Sequence, residues 1–164
     1  MWGSGVYGAR AAQAWGCRRQ LVERTLTGRY YVYPEADPSG GDFWGPYATL
    51  YETDDKLIVI WKKLPQQWTG DIVGWGTYSG LWSVISWPTD MKDYGISVIK
   101  DAVVEGIGTG DLIIYNSMLA LKILWGTGDL RGMEGTGTIV VVPGSMGNIC
   151  EYTLEVSARL ILLS

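Results

Sequence analysis

The chain has 164 residues and a formal net charge of −4, from 13 lysines and arginines against 17 aspartates and glutamates. This length predicts one domain, and the acidic balance argues against a nucleic-acid partner, whose binding surface would carry a basic stripe. The sequence contains no histidine and only two cysteines, which excludes histidine-based triads, histidine metal sites and a disulfide framework.

We predict that residues 1–19 form an N-terminal arm or lid and that residues 20–164 form a single domain. The N-terminal segment has arginines but no acid and no apolar core, so it does not resemble a secretory signal. No run approaches the roughly 18 apolar residues of a membrane-spanning helix. We therefore expect a cytoplasmic protein without a membrane partner, and the stretch from Ala9 to about Arg24 is the one helical candidate.

Beyond this segment the dominant hydrophobic period is two, which indicates β-strands. From Cys150 to Leu162 the even positions are apolar and the odd positions are mostly polar, as in a strand with one dry face. Asp54–Asp55 predicts a hairpin turn and Pro65–Gly70 a break. The predicted strands are Gln20–Tyr33, Tyr47–Thr53, Lys56–Lys63, Ile72–Ser86, Tyr94–Glu105, Leu112–Trp125, Thr136–Val142 and Ile149–Leu162.

Strands of this length, with almost no helix, leave a sandwich or a closed barrel as the architecture. A barrel removes the unpaired sheet edges and can hold one small ligand in its lumen. We predict an all-β fold, namely an eight-stranded antiparallel β-barrel with a short N-terminal helical or irregular lid segment. Leu112–Trp125 and Ile72–Trp87 are apolar on both faces, which favours a homodimer.

Three polar residues occupy apolar strand faces: Lys100, Asn116 and Lys122. A lysine in the lumen would need a partner or an ionised ligand. The alternative is that a β-bulge near Lys100 turns it outward, or that it reaches solvent at the barrel mouth.

The glycine-dense stretch Gly126–Gly137 is followed by the strand-like sequence Thr-Ile-Val-Val-Val and contains no lysine. A phosphate-binding loop needs a following helix, so this interpretation is rejected. Cys17 and Cys150 have no histidine to activate them as nucleophiles. Composition and motifs therefore name no reaction by themselves.

Gly126–Gly135 resembles the Gly-Thr/Ser-Gly-x-Phe/Leu-x-Gly-x-x-Gly signature of allene-oxide-cyclase-like barrels, a superfamily that includes the dirigent proteins. Gly76–Pro88 resembles the Gly-Thr-x-Ser-Gly strand ending in proline of the spirotetronate cyclases, and Ser157–Leu163 resembles their last strand. The likeness runs in order from about Tyr47 to the C-terminus.

The resemblance implies a cofactor-independent, metal-free Diels–Alderase of polyketide antibiotic biosynthesis. A linear polyketide with a conjugated diene and a methylene-tetronate would fold in the lumen and close to a spirotetronate. No proton moves in such a reaction, so holding the two ends in a reactive arrangement is the main task.

Given this interpretation, Lys100 is the candidate catalytic residue, as a partner for the anionic tetronate. The candidate wall residues for the hydrophobic small molecule are Tyr78, Trp82, Tyr94, Met118 and Tyr152. Trp2, Tyr7 and Trp15 would form the underside of the lid.

Three alternatives remain open at this point. The barrel could be a non-catalytic, lipocalin-like carrier of a hydrophobic small molecule. It could catalyse another cyclisation of the allene oxide cyclase type, or it could be a dimeric barrel with a core filled by side chains.

Overall fold

The computed structural model describes residues 18–32, 47–86, 90–145 and 147–162. These ranges contain no α-helix, and one turn of 3-10 helix spans Gly128–Leu130. The nine strands are β1 Arg18–Val32, β2 Ala48–Glu52, β3 Leu57–Gly70, β4 Ile72–Ser86, β5 Asp90–Val104, β6 Gly108–Ser117, β7 Ala120–Gly126, β8 Glu134–Val141 and β9 Ile149–Leu162.

The strands pair antiparallel in the order β1-β9-β8-β7-β6-β5-β4-β3-β2. β1 also pairs with the second half of β3, from Gly28 opposite Gly70 to Val32 opposite Gln66, and this seam closes a barrel. β2 pairs with the first half of β3, on the same edge of that strand as β1. The predicted eight-stranded antiparallel barrel is confirmed.

The N-terminal helix prediction is wrong for its second half, because β1 begins at Arg18 and is paired with β9 from there to Tyr31. Long-range pairing outweighs the helical preference of this arginine-containing stretch. Residues 1–17, which include most of the predicted arm or lid and the first half of the predicted helix, lie outside the described residues, whereas Arg18 and Arg19 begin β1.

The predicted strand Leu112–Trp125 is two strands, β6 and β7, joined by a turn at Met118–Leu119. Met118 has φ of 56°, a left-handed conformation that a tight hairpin turn requires. The run looked apolar on both faces because β6 points its even residues inward, from Leu112 to Asn116, whereas β7 points Leu121 and Ile123 inward.

The predicted break at Pro65–Gly70 is wrong, because β3 continues through Pro65 and ends at Gly70. Pro65 lies between the part of β3 that pairs with β2 and the part that pairs with β1. A proline is tolerated at such a gap because no ladder hydrogen bond is lost there. The predicted Asp54–Asp55 turn is confirmed, with the Thr53 backbone N–H donating to the Lys56 carbonyl at 2.8 Å.

A β-bulge at Lys100 and Asp101 interrupts the alternation of β5. These two residues oppose the single residue Asp111 on β6, and Asp101 has φ of 49°. Before the bulge Ser97 and Ile99 point inward, and after it Ala102 and Val104 do, each fully or almost fully buried.

The hydrophobic core fills one end of the barrel and leaves the other partly open. Large buried side chains from β4, β5, β6, β9 and the 3-10 turn pack there, among them Ile72, Ile99, Leu112, Leu154 and Leu130. This end is a packed core, so any ligand site in the lumen belongs to the opposite end.

Candidate functional site

A cavity of about 460 Å³ occupies the end of the barrel that the core leaves unfilled. Its volume is in the range of small-molecule sites, and its wall is mostly apolar and aromatic, as in such sites. The described residues that line it are Tyr30, Val32, Trp61, Leu64, Gln66, Tyr78, Trp82, Met91, Asp93, Asn116, Met118, Leu119, Ile139, Val141, Gly147 and Cys150.

Two glycines on neighbouring strands make room for Tyr78, a large residue of this wall. Gly80 on β4 and Gly95 on β5 are directly paired. A Cβ atom at either position would collide with the Tyr78 ring or its hydroxyl. Tyr78 therefore lies against bare backbone, and the ring of Trp61 stands 6.0 Å from it, centroid to centroid.

Tyr78 and Asp93 form a polar pair within the wall. The Tyr78 hydroxyl donates a hydrogen bond to Asp93 Oδ1 at 3.0 Å. Burial raises the pKa of Asp93, although the hydrogen bond from Tyr78 lowers it in part. Burial and the nearby Asp93 carboxylate raise the pKa of Tyr78, so the phenol remains a protonated donor at neutral pH.

Two buried amide side chains also face the cavity. Gln66 accepts a hydrogen bond at Oε1 from the Trp68 indole N–H at 3.3 Å. Asn116 is 6% exposed, and its Oδ1 has no hydrogen-bond partner among the described residues. Because a buried amide oxygen is normally hydrogen-bonded, Asn116 is the polar group most available to a bound molecule.

Tyr30 and Cys150 are buried members of the same wall, and the Tyr30 ring lies 4.7 Å from that of Trp68, centroid to centroid. Burial raises the pKa of the Cys150 thiol, with Tyr30 opposing it in part. Since the thiolate is the reactive form, Cys150 is a weak nucleophile at neutral pH. The wall thus offers aromatic surface and a few hydrogen-bonding groups, but no activated nucleophile among its described residues.

Of the predicted wall residues, Tyr78, Trp82 and Met118 line the cavity. The predicted position of Tyr94 is wrong, because it follows the inward-facing Asp93 on β5 and therefore points outward, 41% exposed. The predicted lid residues Trp2, Tyr7 and Trp15 lie outside the described residues.

Tyr152 faces the lumen as predicted but lies in the packed core rather than in the cavity wall. Its hydroxyl donates to the Thr69 carbonyl and accepts from the Ile72 backbone N–H, both at 2.9 Å. Burial raises the pKa of Tyr152 to about 12. These hydrogen bonds connect β9 to the turn between β3 and β4, so Tyr152 stabilises the fold.

The lumen position expected for Lys100 is also wrong. Its side chain points outward on the same face as Tyr94 and Ile96, is 71% exposed, and its Nζ lies 3.1 Å from Asp111 Oδ2. Lys122 likewise points outward on β7. A bulge near Lys100, which was considered as the alternative, is observed, and it separates the outward face of Lys100 from the inward face of Ala102.

The sequence analysis missed Asp93, Tyr30 and Trp61 as wall residues. Asp93 lies between the predicted strands Ile72–Ser86 and Tyr94–Glu105, and only its pairing opposite Trp82 shows that it faces the lumen. Asn116 did carry a signal, because it is a polar residue on an apolar face.

Two larger depressions, of about 790 and 660 Å³, are lined by charged side chains. They lack the apolar enclosure of a typical small-molecule site. Their charged lining residues are Glu23, Arg24, Lys122, Glu134 and Glu155 in the first, and Arg19, Asp129, Arg131, Glu134 and Arg159 in the second.

The described part of the chain has no group of three or more aspartate, glutamate or cysteine side chains placed to hold a metal ion. None of the helical structure in the same ranges has the length and apolar character needed to cross a bilayer.

No protein-family model matches the sequence, and no curated protein matches it. A solved structure shares the fold: a protein of unknown function from the DUF3224 family of Shewanella oneidensis MR-1. It superposes with a TM-score of 0.56 at 14% identity, covering 82% of this chain and 96% of that one.

Two pterocarpan synthase dirigent proteins, GePTS1 and PsPTS1, superpose more loosely, each with a TM-score of 0.46. Their identities to this chain are 16% and 13%; the superpositions cover 85% and 88% of this chain and 89% and 97% of theirs. With TM-scores below 0.5, these two superpositions carry no argument about this chain. The resemblance to spirotetronate cyclases stays a prediction.

Proposed function

We propose that the barrel is a cofactor-independent cyclase that folds a flexible, conjugated and largely apolar molecule in its cavity and promotes an intramolecular Diels–Alder cycloaddition. The observation that carries the proposal is the cavity of about 460 Å³, walled by Trp61, Tyr78 and Trp82 at the unfilled end of the barrel. A linear polyketide with a diene and an electron-poor alkene is the substrate class.

The chemistry suits the groups that are present. A cycloaddition transfers no proton to the protein and needs no nucleophile, so a wall without an activated cysteine is adequate. Orienting the reacting ends of one chain supplies several kcal/mol, with about 7–11 kcal/mol as the ceiling measured for well-oriented intramolecular reactions. A hydrogen-bond donor near the dienophile carbonyl stabilises the charge that develops there. The Asn116 side-chain amide is the candidate, because the Tyr78 hydroxyl already donates its proton to Asp93.

The anionic methylene-tetronate implied by the resemblance fits less well. The described residues of the wall include no lysine or arginine, and Lys100 is on the outer surface. An uncharged dienophile therefore suits the cavity better, because a buried anion without a cation is strongly disfavoured.

The test uses a linear triene that carries an α,β-unsaturated ketone, incubated with and without the protein and analysed by chiral chromatography. We expect faster cyclisation and an excess of one stereoisomer. Trp82→Ala, which removes a wall residue, should lower kcat/KM by about tenfold or more, as expected when reacting groups lose their orientation.

Trp125→Ala is the matched control, because Trp125 is on the outer surface and 60% exposed. It should leave the rate unchanged. Saturable binding without rate acceleration would contradict the cyclase function and support the carrier function instead. Equal losses of activity in both variants would show that the activity does not depend on the cavity.

A further inference from the structure

The ionisable groups of the cavity wall are all acids. Asp93, Tyr30, Tyr78 and Cys150 contribute to the described lining, whereas lysine and arginine do not. The Asp93 carboxylate has the Tyr78 hydroxyl as a hydrogen-bond donor but no cation beside it in that lining. Asp93 is half-buried, and carboxylates withdrawn from water are normally paired with a cation or with several donors, so this one is incompletely satisfied.

Asn116 is on the neighbouring strand β6, where it is paired with Gly95, two residues along β5 from Asp93. The two side chains are therefore diagonal neighbours on the inner face of the sheet. Its Oδ1 is buried and accepts no hydrogen bond from the described residues. Asp93 and Asn116 thus form a polar corner with two incompletely hydrogen-bonded acceptors in a mostly apolar and aromatic wall, and such acceptors need donors.

We propose that the Asp93–Asn116 corner binds a hydrogen-bond-donating group, a hydroxyl or a protonated amine, at one end of an otherwise apolar molecule. The inference rests on the proposed function in one respect, since the same cavity must admit a ligand. It adds the chemistry of the polar end and excludes a carboxylate or another anion at that position.

The binding test compares four probes of one shape by calorimetry: 2-methylnaphthalene, 2-naphthylmethanol, 2-naphthylmethylamine and 2-naphthoate. We expect the alcohol and the amine to bind about tenfold or more tightly than the carboxylate, because hydrogen bonds to a charged group are the stronger class. The methyl compound gives the affinity due to the apolar wall alone.

Two variants separate the contributions of the two acceptor groups, Asn116 and Asp93. Asn116→Leu should reduce the advantage of both the alcohol and the amine over 2-methylnaphthalene. Asp93→Asn, which keeps the shape but removes the charge, should abolish most of the amine's advantage and leave more of the alcohol's. Lys100→Met is the control on the outer surface and should change none of the four affinities, and a melting curve for each variant verifies its fold.

Each outcome decides between the two ideas. If 2-methylnaphthalene binds but the carboxylate binds as tightly as the alcohol and the amine, the inference is overturned while the cavity remains a ligand site. If none of the four probes binds, the inference and the binding step of the proposed cyclase both fail. Donor preference in a protein that cyclises no triene supports the inference and overturns the proposed reaction.

Discussion

At the scale of single residues, two glycines without side chains determine where Tyr78 lies in the cavity wall. Gly80 and Gly95 leave no side chain on the inner face where the tyrosine ring lies. The ring then reaches Asp93, and the hydroxyl is held at 3.0 Å from the carboxylate. The two glycines thus set the position of the Tyr78 side chain.

Gly95→Ala should therefore lower the free energy of unfolding by about 1–3 kcal/mol, the usual cost of overpacking. The new methyl group would push the Tyr78 ring towards the cavity and weaken probe binding. Chemical denaturation measures the first effect and calorimetry the second. Adding Tyr78→Ala should recover part of the alanine's cost, and a strictly additive double variant would contradict the assigned contact.

Asp93 makes stability depend on pH in a predictable direction. Burial raises the pKa of Asp93 in the folded protein above its ordinary value of 3.8. The folded state then binds more protons than the unfolded state between these two pKa values, so this residue's contribution to stability falls as the pH rises through that range.

Asp93→Asn should accordingly gain stability relative to the unsubstituted protein as the pH is raised from 3 to 7. Urea denaturation at both ends of this range measures the difference, in which the other titrating groups largely cancel. A difference that stays constant, or that shrinks with rising pH, would show that Asp93 is not held in a desolvated position.

At the scale of the strands, bulges decide which side chains reach the lumen. Asp111 holds the bulge of β5, because its Oδ1 accepts from the Asp101 backbone N–H at 3.0 Å while Oδ2 accepts from Lys100 Nζ. These contacts lower the pKa of Asp111, the backbone hydrogen bond more than the lysine. The backbone contact is the one that fixes the strand geometry.

Asp111→Ala should therefore lower the melting temperature clearly more than Lys100→Met, although both remove the ion pair. An exposed ion pair contributes little on its own, whereas the left-handed Asp101 needs its backbone partner. Scanning calorimetry of both variants measures this. Equal losses would assign the stabilisation to the ion pair and not to the bulge.

For the whole molecule, the seam between β1 and β3 is what closes the barrel. It consists of the pairs from Gly28–Gly70 to Val32–Gln66. Gly70, with φ of 92°, turns the chain there, and an added Cβ would meet the Gly28 backbone. The Tyr152 hydroxyl bridges Thr69 and Ile72 on either side of this turn.

Tyr152→Phe should lower the free energy of unfolding by about 1–3 kcal/mol, because the buried Ile72 N–H loses its acceptor. Probe affinity should be unchanged, since Tyr152 does not line the cavity. Denaturation and calorimetry on the same sample test both statements. A large loss of affinity at unchanged stability would show that Tyr152 belongs to the ligand site.

A homodimer stays a prediction, and exposed apolar side chains on the outer surface of the barrel favour it. Trp75, Ile96, Val103 and Trp125 are between 40% and 60% exposed on β4, β5 and β7, more apolar surface than isolated outward residues usually present. Sedimentation at micromolar concentration measures the mass, and the mass of one chain would contradict the prediction.

The sequence by itself determined the all-β class, the alternation of β9 and the strand length that favours a barrel, because the period of two follows directly from strand geometry. It also marked Asn116 as a polar residue on a dry face. These features are local, and local patterns are visible in a single chain.

Only the tertiary structure decided which faces the central strands turn inward. One added residue in a strand exchanges its two faces, and such a bulge puts Ala102 inward although Lys100, two residues earlier, points outward. The Met118–Leu119 turn divided one predicted strand into two. The pairing of Asp93 opposite Trp82 likewise placed a carboxylate in the lumen. Register depends on partners that are distant in sequence, so the position of Asp93 in the cavity wall followed only from the pairing of the strands in the closed barrel.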